Sequence, residues 1–254
     1  MRLLKWIVGI FVVAIVSAIS IYVLAYPSTT VRYRLTAEVQ TPEGTKTGSV
    51  VNEILFYTQP ATLTQGSIGR GNRGRGEALV VDLGNRGKLF GLLIGRLSDG
   101  SPGDPRPAQM ILDLYAPNWR DGEVGYRQAL ATVAPTETPI ELPKKYWPFF
   151  VTFRNPDDPT TVESVKANDL SSRFGSGVKL TRMTSQLVDA GVWPLDRLDL
   201  SGTPLTSQVK EMLPWLDWPR EKMLKTGNGR SPLKMPNKKT KGTTFLDRPH
   251  FFKD

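Results

Sequence analysis

The residues that could carry chemistry are few, and their spacing argues against most of it. Ser207-Gln208-Val209-Lys210 has the S-x-x-K spacing that places a nucleophilic serine and a lysine one helical turn apart, as in penicillin-binding proteins and β-lactamases. Lys225-Thr226-Gly227 even matches their K-T-G. In those enzymes, however, the K-T-G strand follows a whole subdomain later, with an S-x-N in between. Here fourteen residues separate the two motifs and none is a serine, while the other K-T-G, Lys46 to Gly48, precedes Ser207. A short motif needs its structural context, so both matches read as coincidence. The only histidine, His250, is four residues from the C-terminus. Histidine triads and the usual catalytic zinc sites need an imidazole held in a core. There is no cysteine, which removes disulfides, thiol catalysis, cysteine-ligated zinc and a lipidated cysteine anchor. No catalytic residue, metal site or cofactor is assigned.

Gly69-Arg70-Gly71-Asn72-Arg73-Gly74 satisfies G-x-G-x-x-G. A dinucleotide site needs a strand before this motif and a helix N-terminus after it. The strand-like EALVVDL follows instead, which predicts a flexible loop between strands. On such a loop Arg70, Arg73 and Arg75 would offer three guanidinium groups to phosphates or carboxylates of lipid or wall polymers. Among carboxylates, Glu38, Glu53, Glu77, Asp82 and Asp113 fall on or beside strands, and a glycosidase needs only two of them facing each other. Asp82 interrupts an apolar run and is the candidate for a raised pKa, although an Asp before a turn more often bonds backbone. Asp157-Asp158 lacks calcium-loop spacing and reads as a turn. Trp193, Trp215 and Trp218 cluster with Leu213 and Leu216: core packing is one reading, and a partner or membrane surface, chiefly Trp215 and Trp218, is the other.

The elements that must position these residues begin with Trp6 to Tyr26, 21 residues without a charge. As a helix it would extend about 31 Å, the depth of a bilayer's hydrocarbon core. Trp6, Tyr22 and Tyr26 suit the interfaces, and Arg2 and Lys5 favour a cytoplasmic N-terminus. A signal peptide cleaved after Ala25 is the alternative, but signal apolar regions are shorter. Val31 to Gln40 alternates apolar and polar residues as a half-buried strand does. Thr41-Pro42-Glu43-Gly44 turns it, and Ser49 to Tyr57 returns. Glu77–Leu83 and Lys88–Ile94 flank Gly84-Asn85-Arg86-Gly87 as a second hairpin, apolar on both faces and therefore covered on both. Gln109–Tyr115 could be strand or helix, and Gly122–Val133 carries a short helix. Phe149–Phe153, Thr160–Val165 and Val178–Val188 read as strands. A helical turn from Asn168-Asp169 ends at Gly175, and Thr206–Leu213 is a helix stopped by Pro214. The expected fold is mainly β, a sandwich-like or open half-barrel sheet with short helices, plus one N-terminal transmembrane helix.

Of the net charge of +9, the last 36 residues hold +7: ten Lys/Arg against Glu221, Asp247 and Asp254. The expected organisation is therefore an anchor over 1–27, a β-rich extracytoplasmic domain over 28–218 and a basic disordered tail over 219–254. An exported chain does not meet the genome, so the charge is not read as nucleic-acid binding.

Three stretches resemble an uncharacterised family of small bacterial membrane-anchored or exported proteins. They are Tyr33-Arg34-Leu35-Thr36 running through EVQTPEG to Gly48-Ser49-Val50, GEALVVDLG from Gly76 to Gly84, and FRNPDDPTTV with the FGSGVKL that follows; Leu213-Pro214-Trp215-Leu216 fits the same pattern. The resemblance covers most of residues 31–216 and implies location, in or at the cytoplasmic membrane with the domain outside, but no activity. The expected function is a non-enzymatic interaction or structural module of the envelope. Two alternatives stay open: a carboxylate-based hydrolase of cell wall or lipid, and a binder of anionic lipid or wall polymer through the arginines and the tail.

Overall fold

The computed structural model describes residues 2–59, 69–95, 103, 107–192, 195–198, 200–218, 233–236, 243–246 and 251–253; side chains at 2–5, 8, 19, 23, 59, 123, 197, 233–236, 243–246 and 252–253 lie outside the description. The uncharged N-terminal stretch lies mostly within α1 (Arg2–Ala25), a helix of 24 residues that also includes Arg2 and Lys5. At 1.5 Å per residue it is about 36 Å long. Pro27, which has no N–H to donate, follows its end. Trp6, Ile10, Phe11 and Leu24 are exposed along it. Counted over the described residues alone, no helix is long and apolar enough to cross a membrane.

The alternating stretch forms β1 (Ser28–Thr41) and returns as β2 (Gly44–Gln59), followed by β3 (Gly69–Glu77), β4 (Leu79–Asp82) and β5 (Lys88–Gly95). Helices α2 (Pro107–Tyr115) and α3 (Gly122–Ala131) come next, then β6 (Ile140–Glu141), β7 (Pro148–Phe153) and β8 (Val162–Val165). The turn α4 (Ser171–Phe174) leads into β9 (Lys179–Val188), and α5 (Val209–Met212) follows. Near the C-terminus lie β10 (Leu233–Pro236), β11 (Thr243–Leu246) and β12 (Phe252–Lys253). One sheet has the order β12-β3-β2-β1-β9-β6 and the other β4-β5-β7-β8, while β10 and β11 pair as a hairpin. Pairing is antiparallel, as in Tyr33↔Leu187 and Phe150↔Val165. The fold is thus mainly β, with two antiparallel sheets and short helices.

By contacts the chain divides into two compact units, residues 1–30 with 55–73 and residues 31–54 with 74–254. The first holds α1 and the parts of β2 and β3 that carry Tyr57 and Gly71. A side chain at Gly71 would collide with the Tyr57 ring, so glycine is what lets that aromatic ring lie across the strand.

The second unit holds the core. Along β1, Tyr33, Ala37 and Val39 are buried, as the alternation predicts. Arg32 breaks the pattern: it is 1% exposed because its guanidinium is paired inside the protein. The ambiguous run before Tyr115 is helical. Ala108, Ile111 and Leu112, at the i, i+3, i+4 spacing of one helix face, are buried together. Every residue of β7 is buried.

Around β5 and β7, Phe90, Phe153, Trp215 and Phe251 form a contiguous aromatic group. Trp215 meets Phe251 edge to face at 5.3 Å between centroids, and Phe90 meets Phe153 at 5.5 Å. Phe251 belongs to the stretch expected to be disordered, yet it is fully buried in this cluster. Its carbonyl accepts from the Ala78 N–H at 2.8 Å, and Phe252 pairs with Glu77 as a short sixth strand. The described parts of the tail are therefore structured. The local composition is polar, but one aromatic side chain supplies enough apolar area to dock the chain end.

Replacing Phe251 with alanine is expected to cost about 3–5 kcal/mol of unfolding free energy. Deleting residues 251–254 should do the same in urea denaturation; an unchanged midpoint would mean that the chain end contributes nothing.

Candidate functional site

Between β1–β2, β4–β5 and α2, lined by residues of the second unit, lies a cavity of about 320 Å³. A backbone irregularity opens it. Gly91 of β5 pairs with Phe150 and Gly95 with Pro148, so Leu92, Leu93 and Ile94 stand opposite the single residue Phe149. Such a bulge lets consecutive residues face one space, and all three line the cavity. Pro148 has no N–H and could not have continued a regular ladder there. At Gly91 a Cβ would lie 2.9 Å from the Pro148 ring, so glycine is what admits the proline.

The cavity's inner polar groups belong to the corner where the chain leaves one sheet for the other. Gly76, at φ 135°, and Glu77 end β3, and β4 begins at Leu79. The Asn52 side chain grips this corner as a neighbouring strand would. Its Oδ1 accepts from the Glu77 N–H at 2.9 Å and its Nδ2 donates to the Glu77 carbonyl at 3.2 Å. Asn52 also hydrogen-bonds the Tyr33 hydroxyl, and burial of that phenol raises its pKa despite the bond. The Glu77 carboxylate, in a residue 1% exposed, accepts from Gln208 N at 2.8 Å and Val209 N at 3.0 Å, the entry to α5. Burial pushes this carboxyl above its ordinary range, and the two backbone donors pull it partly back.

At the rim stand Gln109, Lys145 and Tyr146. Tyr146 donates to Asp113 Oδ2, while Asp113 Oδ1 accepts from Trp119 Nε1 at 2.8 Å and pairs with Arg120 at 2.7 Å. Burial pushes the Asp113 carboxyl up, but the Tyr146 and Trp119 hydrogen bonds and the Arg120 charge together hold it below the usual range. The Lys145 ammonium lies 4.6 Å from the centre of the Tyr146 ring.

The five candidate carboxylates do not converge. Glu77 alone lines the cavity. Glu53 is buried against Arg32 at 2.9 Å and meets Arg75 at 3.3 Å. Glu38 faces Arg182 at 3.5 Å. Asp82 is exposed, accepting from Gly84 N at 2.8 Å and facing Lys88 at 3.4 Å, the backbone role of an Asp before a turn. Asp113 serves the rim. Asp158 accepts from Thr160 N at 2.9 Å in the turn predicted for Asp157-Asp158. No group of acidic or histidine side chains able to hold a metal occurs among the described residues.

The glycine-rich stretch is not a loop but strand β3, so its arginines are not gathered on a mobile backbone. Successive strand residues face opposite ways, which puts Arg70 on the other face from Arg73 and Arg75. Arg70 and Arg73 are exposed, whereas Arg75 is drawn in by Glu53. Trp215 is fully buried and Trp218 packs against the same cluster, so Trp215 is core and not a partner surface. Ser207 precedes α5, and Lys210 within it lies 3.8 Å from Asp217. Trp193, Lys225-Thr226-Gly227 and His250 fall outside the described residues. The cavity itself was missed in the sequence; the three consecutive apolar residues before Gly95 were its one trace.

Two expectations follow. Glu53→Ala strands the buried Arg32 guanidinium, whose remaining acceptors are the Thr203 and Asp196 carbonyls. It should cost about 3–5 kcal/mol, and Arg32→Met combined with Glu53→Leu should cost less, both measured by denaturant unfolding. The hydrogen bonds from Arg86 hold the Glu43 carboxyl at about 2 against an ordinary 4.5. The unfolded chain takes up this proton first, so the stabilisation is complete above pH 4.5 and lost as the pH falls toward 2. Glu43→Gln should flatten that part of the acid profile; identical profiles would show the pair to be inert. Searches against protein-family models, curated proteins and solved structures find no match to this chain.

Proposed function

We propose that the protein is a single-pass, membrane-anchored module of the bacterial envelope whose β-domain lies outside the cytoplasm and binds partners or ligands without turning them over. The observation that carries this reading is the separate commitment of the carboxylates. Glycoside hydrolysis of the usual kind needs two of them across one cleft, and among the described residues the only carboxylate lining the cavity is that of Glu77, whose oxygens already accept the backbone N–H groups of Gln208 and Val209.

The anchor rests on the sequence. Trp6 to Tyr26 is 21 residues without a charge, enough as a helix for a bilayer's apolar core, with Arg2 and Lys5 before it and Tyr22 and Tyr26 at its end. Those positive charges favour a cytoplasmic N-terminus; release into the periplasm by cleavage after Ala25 is the competing outcome. The anionic-polymer reading keeps some support from the exposed Arg70 and Arg73 and from the +7 of the last 36 residues.

Fractionation of cells making a C-terminally tagged chain, with protease added to spheroplasts, tests the reading. Full-length protein in the membrane fraction that protease removes is the expected result. A shorter soluble product would mean cleavage, and protease-protected protein would overturn the orientation.

A further inference from the structure

The cavity's composition selects its occupant. Leu35, Val50, Leu79, Leu92, Ile94 and Met110 form its wall, drawn from both sheets and from α2. The buried polar groups are engaged with the fold itself: Tyr33 with Asn52, and Glu77 with α5. A sugar or peptide entering this space would exchange hydrogen bonds to water for contact with aliphatic carbon, a net loss. An alkyl chain gives up nothing on entering and is released from water. The volume of about 320 Å³ sits at the small end of the roughly 300–1,000 Å³ typical of ligand pockets, which suits one chain and not two.

The rim adds a sign. Lys145 is exposed there, its ammonium over the Tyr146 ring, and Tyr146 is held by Asp113. The Asp113 carboxylate behind Tyr146 is itself paired with Arg120. Among the described residues that line the cavity, the exposed charge is the lysine's, and it favours an anion.

We infer that the cavity takes the hydrocarbon chain of a single-chain anionic amphiphile, a fatty acid being the simplest, with the acid group at Lys145. This rests on the binding-module reading above and names its ligand class. It also gives a reason for apolar walls around polar groups that are already satisfied.

The test uses the full chain in phosphatidylcholine nanodiscs with a fatty acid that carries a photoreactive diazirine at its methyl end. After irradiation, peptide mass spectrometry maps the adducts. Adducts on the peptides containing Leu35, Leu92 or Met110, competed by unlabelled fatty acid, are expected. The matching fatty alcohol should label roughly tenfold less, the worth of one charge-assisted contact. Lys145→Glu should lower the acid to the level of the alcohol. Leu35→Trp, shown by its melting curve to be folded, should abolish cavity labelling. Lys145→Glu alters an exposed residue, so it serves as a test even if Leu35→Trp does not fold. Adducts confined to residues 6–26 would overturn the inference, as would equal labelling by acid and alcohol in both the parent and Lys145→Glu. Cavity adducts in protein recovered from the soluble fraction would sink the anchor reading and leave this one standing. An anchored protein without cavity adducts would do the reverse.

Discussion

A strand that leaves one sheet and enters another releases backbone groups from its ladder, and those groups cannot stay unpaired in a core. At Gly76–Ala78 the release is repaired from two sides. Asn52 presents an amide that imitates a neighbouring strand, and the Phe251 carbonyl receives the Ala78 N–H. The Glu77 side chain, carried inward by the turn, satisfies the first donors of α5. Through this one corner β2, the second sheet, α5 and the chain's C-terminal residues are joined. A side chain at position 76 would occupy the space of the Asn52 amide, so glycine is a condition of the whole arrangement. Gly48 meets the same demand nearby, where a side chain would run into the Val80 carbonyl as the two sheets approach.

A second fixed point is electrostatic. Arg32 and Glu53, both inside the protein, are costly to desolvate and are tolerated because each is paired. The same guanidinium reaches the carbonyls of Asp196 and Thr203, so it orders the segment after β9 as well as the strand it belongs to. Arg75 adds a further cation to Glu53 from the half-exposed side. A hydrophobic pair could fill this space, but it would leave those two carbonyls without their donor.

These constraints shape function through the space they leave. The corner and the bulge in β5 hold the two sheets apart over a short distance, and aliphatic side chains from both line the gap. Polar atoms remain at its inner end only because the corner needs them. The rim, by contrast, is assembled from α2 and the 3-10 turn Lys144–Tyr146, joined by the Asp113–Tyr146 hydrogen bond. The rim is thus held by contacts separate from those of the corner.

Much of this was legible along the chain. Alternation marked β1, the Thr41–Gly44 turn marked the return of β2, the continuous apolar runs marked β5 and β7, and Gly175 and Pro214 marked the ends of α4 and α5, because these are local consequences of pleat, helix pitch and backbone freedom. The absence of cysteine and the single histidine near the C-terminus bound the chemistry whatever the fold. What the sequence could not determine were relations between distant residues. Glycine-rich β3 reads as a loop because glycine has no preference for a strand; its extended form comes from its neighbours in the sheet and from the Tyr57 ring above Gly71. Phe251 reads as part of a polar tail, yet its burial depends on a pocket made by Trp215 and Phe153, far from it in the chain. Pairing of Arg32 with Glu53, the isolation of Glu77 from every other candidate carboxylate and the cavity itself likewise exist only once the sheets have formed. Local pattern sets which segments become strands, while burial, which is decided between segments, sets which of their side chains are left to meet a ligand.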